Sequence, residues 1–139
     1  MRIRPFTIED YDRVWLLWHV CHVPLGSSDT REAIQRKLER DPDLFLVAEE
    51  NRVIMGVIIG SWDGRQGLIY NHAVDPTMRR RGLGRQLFQE VENRLLEKGC
   101  HQISILVPAG SLEGEEFFRS MGFKPEERYL TLVKTIPGK

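Results

Sequence analysis

The chain is most constrained by one stretch: Leu68-Ile69-Tyr70-Asn71-His72-Ala73-Val74 reads as a strand, Arg79-Arg80-Arg81-Gly82-Leu83-Gly84 as a basic loop, and Leu83 onward as a helix. A loop of this kind suits an anionic ligand. Its glycines let the backbone come close, and the first helical N–H groups, which have no partner within the helix, point at the anion.

The rest of the composition makes that signal local. At 139 residues the chain is expected to form one domain spanning 1–139, large enough for a real core. Lys plus Arg and Asp plus Glu each total 20, so no overall field favours nucleic acid or a membrane. Cys21 and Cys100 lack metal or redox spacing and have apolar neighbours, which reads as buried free thiols in a reducing compartment. The first residues carry no apolar signal core and no apolar run reaches membrane-spanning length, so a cytoplasmic location is expected.

In chain order, Arg2 to Phe6 reads as a first strand, and Thr7 with Asp10 as a helix cap. The helix that follows is expected to bury Tyr11, Val14, Trp15, Trp18 and Cys21 on one face. Val23 to Ser28 is a loop that could form one wall of a substrate pocket, and a second helix runs from Asp29 to Asp41-Pro42. Leu44 to Ala48, Val53 to Ser61 and Leu68 to Val74 then form an antiparallel meander joined by turns at Glu50-Asn51-Arg52 and Asp63-Gly64. Leu83, Leu87, Phe88, Val91, Leu95 and Leu96 recur at helical spacing, with Gly99 as the stop. His101 to Val107 returns as a strand parallel to the one before the helix, so the sheet is mixed. Ser111 to Met121 reads as a short helix, Phe123 and Tyr129 to Thr135 as final strands, and Pro137-Gly138-Lys139 as a tail. The expectation is an α/β fold with a central, mostly antiparallel sheet of about six to seven strands and helices on both faces.

Two phosphate-loop types are excluded by residues. The nucleotide-hydrolase loop needs Gly, four residues, then Gly-Lys-Ser/Thr, which is absent, and the dinucleotide fingerprint needs a third glycine where Leu87 stands. What remains is Arg-x-x-Gly-x-Gly, approached by Val74-Asp75-Pro76 and followed by a helix ending Lys98-Gly99-Cys100, a strand, and Phe117-Phe118-Arg119-Ser120-Met121-Gly122-Phe123. This resembles the acetyl-CoA-binding pattern of the GNAT N-acetyltransferase superfamily, closest to its small bacterial YpeA-type members. The similarity spans roughly Leu44 to Leu132 and is most specific from Leu68 to Phe123.

The resemblance implies an acetyl-CoA-dependent transfer of an acetyl group to a primary amine of a small molecule or peptide by direct attack. It implies that the backbone from Arg79 to Gly84 holds the pyrophosphate, that Ala73-Val74 pairs with the pantetheine arm, and that Arg79, Arg80, Arg81, Leu83, Arg85, Ser111 and Phe118 complete the cofactor site. Homodimers are common among small members of the family, and the oligomeric state stays open. No metal is called for.

Acetylation requires a neutral amine. At pH 7 only about one lysine-like amine in a few thousand is neutral, so a proton must leave. The chain departs from its relatives here. The position that often holds a tyrosine acid is Phe118, one that can hold a glutamate base is Leu106, and Ser111 stands where asparagine is common. Tyr70 and His72, expected on one face of their strand, and Ser111 are the replacement candidates for catalysis. Ser111 reads equally well as a helix cap. Glu49, Glu50 and Asp63 are candidates to hold a cationic substrate. The alternative is a CoA-binding sensor or interaction module without turnover. Nucleic-acid binding through the arginine run is disfavoured, because no aromatic residue interleaves it.

Overall fold

Three consecutive hairpin-linked strands build the centre of the sheet: β2 (Phe45–Glu50), β3 (Val53–Trp62) and β4 (Gly67–Val74). β1 (Arg2–Pro5) pairs antiparallel with β2, and β5 (Ile103–Ile105) pairs parallel with β4, giving the order β1-β2-β3-β4-β5. This is a computed structural model that describes residues 1–138, and it divides into two compact units, Met1–Leu106 and the residues from Val107 on.

In the first unit the apolar faces of α1 (Tyr11–Val20) and α2 (Arg31–Arg40) cover one face of the sheet. Val14, Leu17, Trp18 and Ile34 pack there with Phe45, Val47, Val57, Ile59 and Ala73. The other face carries α3 (Leu83–Glu97), whose Leu83, Leu87, Phe88, Val91 and Leu95 are buried as their spacing predicts. It seats closely because β3 offers glycine beneath it: a Cβ at Gly56 or Gly60 would lie 2.8 Å from Leu87 or Val91. Gly99, with φ of +101°, stops the helix.

Several expectations are corrected. The sheet has five strands among the described residues, not six or seven. Phe123 and residues 129–135 join no strand, and Tyr129, Leu130, Leu132 and Val133 stand 75%, 82%, 85% and 86% exposed. Alternating β-branched residues specify a face; they do not supply the neighbouring strand a ladder requires. Trp15 is not core: it lies 40% exposed and stacks on His19, while Trp18 is fully buried. Leu96, also expected inside, is 55% exposed. The second helix begins at Arg31, not Asp29, because Thr30 caps it by accepting the Ala33 N–H at 3.2 Å. Cys100 is buried and Cys21 half-buried; both are free thiols.

In the second unit, α4 (Leu112–Ser120) is capped by Ser111, and Phe118 sits edge-on to Phe117 and Phe123. Pro137 and Gly138 belong to no helix or strand, and Lys139 of the expected tail lies outside the described residues.

Candidate active site

The site grows out of the last residues of β4. β5 pairs only with Gly67, Leu68 and Ile69, so among the described residues β4 from Tyr70 to Val74 has a ladder partner only in β3. Asp75 donates its N–H to Met55 of β3 at 2.8 Å. Backbone groups alternate sides along a strand, so the N–H and C=O of Val74 face the edge that β5 leaves open. The Val74 carbonyl there accepts the Cys21 thiol and the Arg79 Nε–H, each at 3.3 Å.

Register is broken just before this edge. Val57 pairs with Ala73 and Ile59 with Tyr70, so Asn71 and His72 stand together opposite Ile58. Asn71 has φ of +49°, a left-handed conformation that asparagine tolerates better than most residues. The bulge overturns the expectation that Tyr70 and His72 share a face. Tyr70 packs on the α1–α2 core beside Ile59 and Ala73, whereas His72 reaches α3 and its Nε2 meets the Gly84 carbonyl at 3.3 Å. A carbonyl only accepts, so His72 donates from Nε2. Loss of water around the ring pushes its pKa down to about 4, although the residue keeps some accessible surface. His72 is therefore neutral at pH 7. Burial also raises the Tyr70 pKa, which keeps that phenol protonated.

Beyond Val74, Asp75 accepts the N–H and hydroxyl of Thr77 at 2.9 and 2.7 Å, which holds its carboxyl below the usual range and shapes the turn Pro76–Met78. The chain then enters the loop with Arg80 at φ of +66° and Gly82 at φ of +79°. Gly82 accepts the N–H of Gln86 at 3.0 Å, the first α3 hydrogen bond, so the N–H groups of Leu83 and Gly84 precede the helix ladder and lie in its first turn, with Arg85 beside them. Arg79, Arg80, Arg81 and Arg85 are exposed, while the Leu83 side chain is buried and can offer only its backbone. Together these groups form a positively charged cradle of N–H donors at a helix start.

Other candidates are placed elsewhere. Glu49 is held by Arg4 at 3.1 Å, and Asp63 accepts the N–H groups of Arg65 and Gln66 within its own turn. Glu50 is exposed at the end of β2. In the second unit, Ser111 Oγ accepts the Gly114 N–H at 3.2 Å, which is the capping role. No group of three or more His, Cys, Asp or Glu able to hold a metal occurs among the described residues.

The Acetyltransferase (GNAT) family model matches residues 10–123. An acetyltransferase of Yersinia pestis (strain Pestoides F) is 40% identical over 107 residues, covering 77% of this chain and 76% of its own. An acetyltransferase of Sodalis glossinidius is 33% identical over 136 residues, covering 98% and 96%. The crystal structure of the PaiA N-acetyltransferase from Thermoplasma acidophilum in complex with coenzyme A superposes with a TM-score of 0.78 at 19% identity, covering 91% of each chain. The chain belongs to the GNAT family of acetyltransferases. It is an acetyl-CoA-dependent enzyme of that class.

Proposed function

We propose that this protein transfers the acetyl group of acetyl-CoA directly to a primary amine. The observation that carries this reading is the continuity of the open β4 edge at Val74 with the N–H cradle from Arg79 to Arg85. Acetyl-CoA supplies the acetyl group as a thioester. The Ala73-Val74 backbone would pair with its pantetheine arm, with the Val74 N–H available to the thioester oxygen. Arg79, Arg80, Arg81, Gly82, Leu83, Gly84 and Arg85 would receive the phosphates, and the family resemblance adds Ser111 and Phe118 as cofactor contacts. The family match crosses both compact units, which supports treating residues 1–139 as one acetyltransferase domain.

The chain's own proton chemistry is spare. A base with pKa about 4 cannot hold an alkylammonium proton, so His72 acts here by holding Gly84, and with it the start of α3, against β4. Tyr70 is a protonated phenol near the same strand end. Phe118 and Leu106 carry no proton. We infer that the amine loses its proton to water before attack. The leaving thiolate, whose pKa is not far above neutral, needs no protein acid.

The test is release of free thiol from acetyl-CoA with an alanine-terminated peptide, spermidine or kanamycin as acceptor. With a productive amine, kcat/KM should climb about tenfold per pH unit between pH 6 and 8, with no inflection from a protein base. Thiol release no faster than hydrolysis with every amine, alongside intact CoA binding, would favour the sensor reading, which Phe118 and Leu106 motivate. Free thiols at Cys21 and Cys100 support a reducing, cytoplasmic setting, and no described helix is long and apolar enough to cross a membrane. A homodimer is the assembly we favour, since it would cover apolar side chains such as Leu130 and Val133.

A further inference from the structure

Asn71 is bound from two directions. Its carbonyl accepts the indole N–H of Trp18 on α1 at 2.9 Å, and its side-chain amide donates to Asp29 Oδ1 at 2.7 Å. Asp29 is itself the organiser of the loop between α1 and α2. Its Oδ2 accepts the Gly26 N–H at 2.8 Å, and its carbonyl accepts the Tyr11 hydroxyl at 2.6 Å. The Asn71–Asp29 hydrogen bond thus joins the 21–30 loop to the bulge that sets the register of Ala73 and Val74, while the Cys21 thiol at the start of that loop holds the Val74 carbonyl beyond it.

We propose that Asn71 and Asp29 are a positioning pair, which locks the 21–30 loop to the β4 bulge and so fixes the acceptor amine relative to the thioester held at Val74. This rests on the acetyltransferase reading above. The left-handed backbone at residue 71 suits Asn, Asp or Gly, and of these only Asn keeps the bulge while donating to a carboxylate. A shift of about 1 Å between reacting groups is enough to cost on the order of a hundredfold in rate, so a link of this kind acts on turnover more than on cofactor affinity.

The chemistry of the pair allows a swap. In Asn71→Asp, two carboxylates face each other and the link is lost. Adding Asp29→Asn restores it in reverse, because the new amide can donate to the carboxylate now on β4 while its oxygen still accepts the Gly26 N–H. Three readouts are taken on wild type, N71D, D29N and N71D/D29N: CoA affinity by calorimetry, kcat and KM for whichever of the three amines turns over, and amide hydrogen exchange. We expect N71D to lower acceptor kcat/KM by about tenfold or more with CoA affinity within about twofold of wild type, and the double variant to recover most of the loss. Exchange in residues 22–30 and 71–74 should rise together in N71D and fall together in the double variant. An N71D loop that exchanges like wild type, or a defect that D29N does not relieve, overturns the proposal. The exchange arm reads the link even if no amine turns over, in which case the proposed direct transfer fails for these three acceptors and the link stands or falls separately.

Discussion

At Gly82 the constraint is conformational. A Cβ there would meet nothing within 4 Å, yet φ is +79°, which costs an alanine about 1 kcal/mol. Gly82→Ala should therefore weaken CoA binding by about tenfold through a re-aimed α3 start, measured by calorimetry; unchanged affinity would contradict the cradle geometry. His72 makes a pH-dependent contribution. Its folded pKa of about 4 lies below the ordinary value of 6.5, so between these values the unfolded chain binds the extra proton. Stability is full above pH 6.5, falls as pH drops through that window, and levels off below pH 4. The loss is at most about 3 kcal/mol, reduced by the ring's residual solvent contact. His72→Gln should flatten the acid limb of a pH series of urea midpoints; an unaltered limb would show that the proton binds elsewhere. The loop and the start of α3 were legible because glycine and arginine spacing marks a turn entering a helix, and the phosphate-binding role proposed for them rests on that geometry. Asn71 was missed because its role depends on a register break that period-2 alternation hides. An asparagine in an otherwise strand-rich run was the available signal.

Among elements, α2 is pinned to the sheet by a polar clip. Lys37 Nζ lies 2.7 Å from Asp41 Oδ2 and 2.9 Å from Ser61 Oγ of β3. Desolvation pushes the Lys37 pKa down and Asp41 opposes it, so the clip holds a charge that water barely reaches. Asp41→Ala should cost about 3 kcal/mol by chemical denaturation, and Lys37→Met with Asp41→Leu should recover most of it; a neutral single change would show the pair to be solvated. Gly60→Ala should lose about 1–3 kcal/mol because Val91 must move. The meander, α3 and the parallel β5 followed from periodicity and turn residues, whose signals are local. The unformed C-terminal strand and the exposed Trp15 depended on which neighbour lies where. Helical spacing alone could not choose between Trp15 and Leu17 as the inward residue.

For the whole molecule, the 139-residue chain of 16.2 kDa should scatter light as twice that mass if a second copy covers the exposed residues near its end. Val133→Asp with Leu130→Asp should shift it toward the monomer; a monomeric wild type would rule that assembly out. Net charge of zero and pI of about 6.9 leave the loop as the local source of anion affinity, so binding should follow CoA chemistry and not charge alone. The most direct measurement is a thermal-shift titration of wild type and Gly82→Trp with acetyl-CoA, CoA and ATP. Stabilisation of wild type by both CoA forms at concentrations where ATP has little effect, and its loss in Gly82→Trp, is the predicted result through linkage. No CoA-dependent shift at millimolar ligand, or an equal shift in the blocked variant, would contradict a cofactor site built on Arg79 to Gly84.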